Sequence, residues 1–205
     1  TATSKLRTGQ IVTVDGAKGV VYKGAVKQTP DAKSVLGQKS VGSGSQISEE
    51  IPITGTKVYL NLAEPESAAE AAKLPVDGVG LLRAEFIIAA IGEHPRAMIA
   101  DGRGEEFTTK LAEGIGQIAA AFAPRPVIYR ATDFKTNEYR GLKGGDKYEK
   151  EEDNPMIGMR GALRYITDPE VFNLELEAIK IVRNKMDLTN LHVMIPFVRT
   201  VDEMR

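Results

Sequence analysis

The feature that most constrains this fold is an alternation of short apolar runs with longer amphipathic segments from residue 58 onward. Apolar runs of strand length occupy 58–62, 79–82, 127–129 and 191–198. Helical patterns are predicted at 65–74 and 105–122 and from Asp168 onward. Because helices commonly connect parallel strands, this alternation predicts an α/β fold of four βα units. The pattern alone leaves open whether they form a doubly wound sheet or the first half of a (β/α)₈ barrel.

Two of the predicted helices have clear apolar faces. In 105–122 the apolar residues recur at the three- and four-residue spacing of a helix: Phe107, Leu111, Ile115 and Ile118. The second helix is predicted to begin with Asp168 as N-cap and Pro169 in the first turn. Its apolar face would consist of Phe172, Leu176, Ile179 and Met186. A capping box is predicted at Thr200 and Glu203, close to the last residue, Arg205.

The N-terminal part has a different character. Two β-branched runs flank Asp15 and Gly16, a dipeptide typical of hairpin turns. Two strands cannot bury a core alone, so residues 1–26 are predicted to be a small β remnant of a further domain. Residues 27–56 are rich in Lys, Ser, Gly and Gln and are predicted to be a linker. The α/β region is then 57–205.

Composition excludes several classes of function. The chain has 205 residues, 42% of them hydrophobic, and a net charge of -1, so bulk charge predicts neither a nucleic-acid nor a membrane partner. It contains no cysteine, which excludes disulfides and thiolate metal sites. No apolar run approaches the roughly 18 residues of a membrane span, and the first residues lack a signal-peptide core. A cytoplasmic protein, or a piece of one, is expected.

Three arginines stand at strand ends or in a loop between elements. Arg83 and Arg130 close the predicted second and third strands, and Arg160 follows a loop. In parallel α/β proteins, ligands bind at the carboxyl ends of the strands. Guanidinium groups suit phosphate oxygens, which they can hold through two parallel hydrogen bonds. The sequence thus raises the hypothesis of a phosphate-binding site.

A structural interpretation of the same residues stays open. Most arginines are solvated or paired with a carboxylate. Arg83 and Glu85 would share one face if both lay on a strand, so they could neutralise each other. Gly78 and Gly80 are only a fragment of a dinucleotide-binding glycine motif and carry little weight.

Several segments resemble one enzyme family. In family order, they are GVGLLRAEF (78–86), VIYRATD (127–133), NPMIGMRG (154–161) and VMIPFV (193–198). They resemble the pyruvate/phosphoenolpyruvate-binding barrel of the family that contains phosphoenolpyruvate synthase, pyruvate phosphate dikinase and phosphotransferase-system enzyme I. Residues 133–139, 151–155 and 194–202 are similar to the synthase branch, and 9–16 resemble the end of the family's swivelling phosphohistidine domain.

The resemblance implies a fold and a set of roles. The chain would be the first half of a (β/α)₈ barrel, preceded by a remnant of the swivelling domain. Arg83 and Arg130 would hold the phosphate of phosphoenolpyruvate, and Arg160 would lie near it. The enzyme would convert ATP, pyruvate and water to phosphoenolpyruvate, AMP and phosphate. Its Mg²⁺ ligands, acid/base cysteine and phosphocarrier histidine would lie outside this chain.

Several interpretations accompany the resemblance. A pyruvate phosphate dikinase and a non-catalytic, assembly-forming relative remain alternatives. Pairing of exposed sheet edges favours a homo-oligomer. His94 and His192 lack a partner base in the sequence pattern and are expected to be structural. The acidic run 149–153 is expected to be a solvated loop, although a metal site made from its carboxylates is conceivable.

Overall fold

The first compact unit, 1–50, contains a β-hairpin. The computed structural model describes residues 6–15, 19–25 and 55–205, and the chain divides into units 1–50 and 51–205. Strand β1 (Val12–Asp15) pairs antiparallel with β2 (Val20–Lys23). The two predicted N-terminal strands are therefore paired. The predicted linker lies outside the described residues except for Gly55 and Thr56.

The second unit is built on a parallel sheet. Its strands are β3 (Tyr59–Leu62), β4 (Gly78–Arg83), β5 (Val127–Arg130) and β6 (Leu191–Met194). They lie side by side in chain order, and every neighbouring pair is parallel. The predicted α/β class and all four βα strands are confirmed, although the last strand ends at Met194 and not at residue 198.

Helices connect and extend these strands. A 3₁₀ turn (Pro65–Ser67) leads into a short helix, and the α-helices are α1 (Ala68–Ala71), α2 (Ala84–Ile91), α3 (Pro95–Ala100), α4 (Gly104–Phe122), α5 (Thr136–Arg140), α6 (Ala162–Thr167), α7 (Pro169–Lys180) and α8 (Val201–Met204). The sequence analysis predicted neither α2 nor α3. Helix α2 begins directly after the last residue of β4, with no turn residue between the two, so the sequence pattern does not separate them.

Helix α4 covers one face of the sheet. Phe107, Leu111, Ile115 and Ile118, the residues predicted for its apolar face, are each at most 1% exposed. The strands contribute side chains without exposed surface to the same core: Val79, Leu82, Val127, Tyr129 and Leu191. Burial of these large side chains stabilises the unit, at about 1.5 to 3 kcal/mol for each fully buried one.

The side chains that alternate with this core lie on the opposite face. Along β5 the pattern is buried at Val127 and Tyr129 and half-buried at Ile128 and Arg130. On β6, Met194 is the register partner of Arg130 and is 38% exposed. In a strand, successive side chains point to opposite faces. The arginines that end β4 and β5 therefore project from the face that the helices leave open.

The helix predicted near residue 168 begins where expected and differs from expectation at its end. Pro169 is its first residue and Asp168 occupies the N-cap position, but the Asp168 side chain makes no capping hydrogen bond. Both carboxylate oxygens of Asp168 instead accept hydrogen bonds from Arg96, at 2.6 Å each. Beyond Lys180 the chain forms a π-helical turn (Ile181–Lys185), which shifts the phase of the helix.

The predicted apolar face is buried only in part. Of its four residues, Ile179 is buried and Phe172 is half-buried. Leu176 and Met186 are 37% and 40% exposed. The prediction was therefore right for Phe172 and Ile179 and wrong for Leu176, which precedes the π-helical turn, and for Met186, which follows it.

The glycines of the GVG segment serve close packing between strands. Gly78 has φ of +151°, and a Cβ there would lie 2.3 Å from the Pro126 carbonyl oxygen. A Cβ on Gly80 would lie 2.8 Å from Cβ of Tyr59. Neither position accepts a side chain without movement of the neighbouring strand.

Candidate anion-binding site

Arg83 and Arg130 are neighbours across the sheet. They are register partners at the carboxyl ends of β4 and β5, and both follow a fully buried residue of the core face. Together with Arg160 they line one cavity of about 310 Å³. The ionisable residues of this cavity are the cations Arg83, Arg130, Arg160 and Lys135 and the carboxylates Glu85, Asp133 and Glu138. The arginines singled out by the sequence thus share one concave site.

Arg130 is held by Glu85. Nη2 of Arg130 donates to Oε1 of Glu85 at 2.7 Å. The backbone N–H of Asp133 donates to the same oxygen at 2.9 Å. Nε of Arg130 and Oε2 of Glu85 are buried and have no hydrogen-bond partner among the described residues. Glu85 thus pairs with Arg130, and the alternative in which it neutralises Arg83 is wrong. The two residues do not share a strand face, because β4 ends at Arg83 and Glu85 already lies in helix α2.

Arg160 is held by Asp133. Its Nε and Nη2 donate to the two carboxylate oxygens of Asp133 at 2.9 and 2.7 Å, and Nη1 donates to the Met156 carbonyl at 3.1 Å. The hydrogen bond with Asp133 raises the pKa of the guanidinium above its usual value. The ring of Phe197 lies beneath the guanidinium, 4.3 Å from Cζ to ring centre.

Phe197 adopts an uncommon backbone conformation, with φ of +56°. Such residues cost conformational energy and occur preferentially at functional sites. Here the left-handed conformation follows the end of β6 and accompanies the stacking of the ring on Arg160. The positive φ therefore belongs to the same site as the arginines.

Arg83 has no ion-pair partner in the part of the chain that the structure describes. Its guanidinium carbon lies 5.1 Å from the centre of the Phe86 ring, and the residue is exposed. Lys135 pairs with Glu138 at 2.7 Å. Four cations face three carboxylates in the cavity, and Arg83 is the cation left over. The described lining thus carries one uncompensated positive charge, which suits an anion.

A larger cavity has the opposite character. It measures about 620 Å³ and lies beside helices α2 and α4. Its ionisable lining residues are Glu64, Glu66, Lys110 and Glu113. Three carboxylates against one cation would repel an anion. Size alone therefore does not identify the site for a phosphate group, whereas the charge of the lining does.

His94 belongs to a separate buried cluster. The residue is 2% exposed, its Nε2 lies 3.0 Å from Oε1 of Glu149, and its Nδ1 accepts from the backbone N–H of Arg96. Arg164 donates to both oxygens of Glu149, at 2.6 and 3.0 Å. His94 also stacks on Tyr148, with 5.4 Å between ring centres. These contacts give His94 a structural role, as expected.

The same cluster corrects the expectation for one residue of the run 149–153, whereas Lys150, Glu151 and Asp153 are exposed as expected. Glu149 is only 6% exposed and is not part of a solvated loop. Burial by itself would raise its pKa, but hydrogen bonds from His94 and Arg164 leave that pKa below the usual value. Among residues 6–15, 19–25 and 55–205, no group of three potential metal ligands occurs. The conceivable metal site is therefore not formed by the described carboxylates.

His192 lies on β6 and is exposed. It is the register partner of Ile128 and so belongs to the face that the helices leave open. None of the described residues around His192 assigns it a chemical role.

In the described parts of the chain, no helix combines the length and apolar character that crossing a membrane requires.

Three residues of the site were not predicted to belong to it, although Glu85 was considered as a partner of Arg83. Glu85, Asp133 and Phe197 all lie within segments that were recognised, namely 78–86, 127–133 and 193–198. The available signal was their position two or three residues after a strand-ending arginine, for Glu85 and Asp133, or near the end of β6, for Phe197. That signal is weak, because pairing between residues far apart in sequence does not follow from spacing.

Comparison with known proteins gives consistent matches. The family model described as PEP-utilising enzyme, PEP-binding domain, matches residues 38–205. The chain is 51% identical over 209 residues to a phosphoenolpyruvate synthase of Aeropyrum pernix, covering 99% of this chain and 25% of that protein. It is 47% identical to the synthase of Pyrococcus furiosus and 41% identical to that of Escherichia coli, covering 24% and 27% of those proteins. The chain spans about a quarter of the length of these relatives.

Proposed function

Because this chain belongs to the family of PEP-utilising enzymes, we propose that its arginine cavity binds the phosphate group of phosphoenolpyruvate in a phosphoenolpyruvate synthase. The observation that carries the proposal is the pairing of Arg83 and Arg130 in register, lining one cavity with an uncompensated positive charge. Arg160 lines the same cavity and is the third phosphate-binding candidate.

The chemistry of the cavity suits a phosphate ester of low molecular weight. Guanidinium groups stay protonated and present several N–H donors in a plane. Arg83 supplies a free charge, whereas Arg130 and Arg160 are oriented by carboxylates. Phosphoryl transfer depends mainly on positioning and on stabilising negative charge on the transferred group. Residues of this chain would therefore bind the phosphoryl group and neutralise its charge.

The whole reaction proposed for the enzyme is ATP, pyruvate and water to phosphoenolpyruvate, AMP and phosphate. The family resemblance implies a phosphohistidine, Mg²⁺ and ATP, and the described residues contain no cluster of three candidate metal ligands. A cytoplasmic setting belongs to the same proposal, because ATP and pyruvate are metabolites of that compartment.

The sheet supports a proposal for the complete domain. Its strands follow one another in chain order, so every crossover runs in the same direction. Right-handed crossovers then place all connecting helices on one face, as in a (β/α)₈ barrel, whereas a doubly wound sheet requires a reversal of order. We propose that residues 57–205 form half of such a barrel. Free edges at β3 and β6 would favour pairing with further strands or with another copy.

The alternatives are less favoured. The similar proteins named above are all phosphoenolpyruvate synthases, which argues for the synthase over pyruvate phosphate dikinase. A non-catalytic, assembly-forming role leaves the unpaired charge of Arg83 unexplained. Formation of phosphate, and not pyrophosphate, in the complete enzyme would separate synthase from dikinase.

Binding is tested by calorimetric titration of the chain with phosphoenolpyruvate. Arg83→Ala and Arg130→Ala should each weaken binding by about 1.5 to 3 kcal/mol, the usual value of a hydrogen bond to a charged group. Arg140→Ala is the matched control, because Arg140 ends helix α5 and does not line the cavity. Equal affinity in all four proteins, or no binding by any of them, would refute the assignment.

Turnover is tested separately. We expect no sustained pyruvate-dependent formation of AMP by the purified 205-residue chain, because the resemblance places the phosphocarrier histidine and the metal ligands elsewhere. Sustained AMP formation that depends on pyruvate would contradict this expectation and would require those groups to be found on this chain.

A further inference from the structure

We propose that Glu85 is the positioning residue that orients Arg130, and through Asp133 also Arg160, for an incoming phosphate group. The inference rests on the proposed function and deepens it, because it assigns a role to a carboxylate that lines an anion site. Glu85 does not carry the reaction itself. Its role is to hold two guanidinium groups in fixed directions before the ligand arrives.

The location of Glu85 makes it suitable for this role. It is the second residue of helix α2, directly after Arg83 and Ala84, and it is 8% exposed. A carboxylate in the first turn of a helix is stabilised by the free backbone N–H groups there. The backbone is fixed by β4 on one side and α2 on the other. Glu85 is therefore anchored more rigidly than a residue on a loop would be.

One oxygen of Glu85 serves two donors from the neighbouring strand. Oε1 accepts from Nη2 of Arg130 at 2.7 Å and from the backbone N–H of Asp133 at 2.9 Å. Both donors lie at or just beyond the end of β5. The same contact thus fixes the Arg130 side chain and the course of the chain that follows it.

Asp133 extends this contact to the third arginine. Its backbone is held by Glu85, and its carboxylate binds Arg160 through two hydrogen bonds. The side chain of Asp133 is only 5% exposed, so this pair is shielded from water. A continuous series of contacts therefore runs from helix α2 through β5 to the loop that carries Arg160.

The charge of Glu85 allows a test, because its two possible roles predict opposite changes in the affinity for the ligand. A carboxylate in an anion site repels the ligand, so a role limited to electrostatics predicts tighter binding after its removal. A positioning role predicts weaker binding, because Arg130 loses its orientation and pays more conformational entropy when the ligand is bound. The two roles thus predict changes in opposite directions.

Glu138 provides a matched control. It lines the same cavity and pairs with Lys135, but no arginine of the site donates to it. Glu85→Gln and Glu138→Gln each remove one negative charge without changing side-chain size. We expect phosphoenolpyruvate to bind about fivefold more weakly to Glu85→Gln than to Glu138→Gln, since a neutral acceptor holds a guanidinium less firmly than a carboxylate. Equal affinities would overturn the proposal.

A double-mutant cycle tests whether Glu85 acts through Arg130. Glu85→Ala should weaken phosphoenolpyruvate binding about tenfold in the otherwise unchanged chain, in line with loss of a charged hydrogen bond. In the Arg130→Ala background the same change should weaken binding by less than about threefold, through Arg160 alone. An equal loss in both backgrounds, or tighter binding in the first, would overturn the proposal.

A readout without ligand separates this inference from the proposed function. Hydrogen exchange of the Asp133 backbone amide, followed by nuclear magnetic resonance, reports its hydrogen bond to Glu85 directly. We expect about tenfold faster exchange in Glu85→Ala and near-normal exchange in Glu85→Gln, whose amide oxygen can still accept. Unchanged exchange in Glu85→Ala refutes the positioning role. Failure of the unsubstituted chain to bind phosphoenolpyruvate, with exchange altered as expected, refutes only the proposed function.

Discussion

Two clusters of arginine–carboxylate pairs in the second unit use the same chemical groups in different ways. In the arginine cavity, Arg130 and Arg160 are paired with carboxylates while Arg83 is left with none. In the buried cluster, Glu149 accepts hydrogen bonds from Arg164 and lies within hydrogen-bonding distance of His94, and Tyr139 packs against both the His94 ring and the Arg164 guanidinium. The buried cluster balances its charge internally, whereas the cavity retains a positive charge and open space.

This difference distinguishes a binding arginine from a structural one. A charge without a partner inside the fold is costly, so a buried guanidinium must be matched by a carboxylate. At the edge of a cavity, water solvates an unmatched guanidinium until an anion replaces it. Arg83 is exposed at the cavity and is unmatched, whereas Arg164 is buried and is matched by Glu149. Pairing and exposure together, and not residue type, therefore indicate function.

Removal of Arg164 tests the buried cluster and should have the largest effect. Arg164→Ala leaves Glu149 buried beside His94 alone, and we expect a loss of about 3 to 5 kcal/mol in the free energy of unfolding. Urea denaturation at neutral pH measures it. The double variant Glu149→Leu with Arg164→Met removes both charges and should be less destabilised. A loss below about 1 kcal/mol for Arg164→Ala would show that the cluster does not contribute as described.

Glu175 sharpens the comparison, because it is a buried carboxylate that forms no ion pair with any of the described residues. Its Oε1 accepts from the Tyr129 hydroxyl and from the backbone N–H and hydroxyl of Thr132. Burial raises its pKa from the usual 4.5 to about 7, against the lowering effect of those hydrogen bonds. The folded state therefore binds a proton at Glu175 more tightly than the unfolded state does.

The sign of the pH dependence follows from that shift. Between pH 4.5 and about 7 the folded chain holds the proton of Glu175 and the unfolded chain does not, so this group lowers stability as pH rises through that window. The full effect is about 3 kcal/mol. Glu175→Gln should be less sensitive to pH by most of that amount when unfolding is measured at pH 5 and at pH 8. Parallel pH profiles for the two proteins would contradict the role of burial.

Arg83→Ala tests the other side of the comparison. Since Arg83 has no protein carboxylate to leave unpaired in the described chain, its loss should change the free energy of unfolding by less than about 0.5 kcal/mol. The affinity for phosphoenolpyruvate should nevertheless fall about tenfold or more. Urea denaturation and calorimetric titration of the same preparation measure both. A destabilised variant with unchanged affinity would assign Arg83 to the structure and not to the ligand.

Lys135→Ala is expected to have the smallest effect. Lys135 lines the cavity but pairs with Glu138 three residues away, and such partly exposed pairs contribute about 0 to 1 kcal/mol. Because Glu138 already matches the charge of Lys135, we expect phosphoenolpyruvate affinity to fall less than about threefold. A tenfold loss in the same titration would make Lys135 a direct ligand of the phosphate and would change the assignment of charge in the cavity.

Much of the fold followed from the sequence. The apolar spacing of 105–122 predicted helix α4 and its buried face, because that helix is long and packs on one side only. The four strands were recognised from their apolar runs. Helices α2, α3, α5 and α6 were missed, since each has at most eight residues and therefore about two turns of periodicity.

The candidate site was predicted in part. The position of arginines at strand ends, together with the family motifs, identified Arg83, Arg130 and Arg160, which line one cavity. The carboxylates that hold them were not identified. Asp168 shows the same limit: its sequence context suggested an N-cap, but its carboxylate is taken by Arg96, 72 residues away in sequence.

By itself, the sequence determined the α/β alternation, the long helix α4 and the arginines that end β4 and β5. Only the tertiary structure decided that Glu85 binds Arg130 and not Arg83. On a strand, residues two apart share a face, but the chain changes from strand to helix at Ala84 and Glu85 is turned toward the neighbouring strand. Local spacing dictates periodic structure, whereas the partner of a charge depends on which distant segments packing brings within hydrogen-bonding distance.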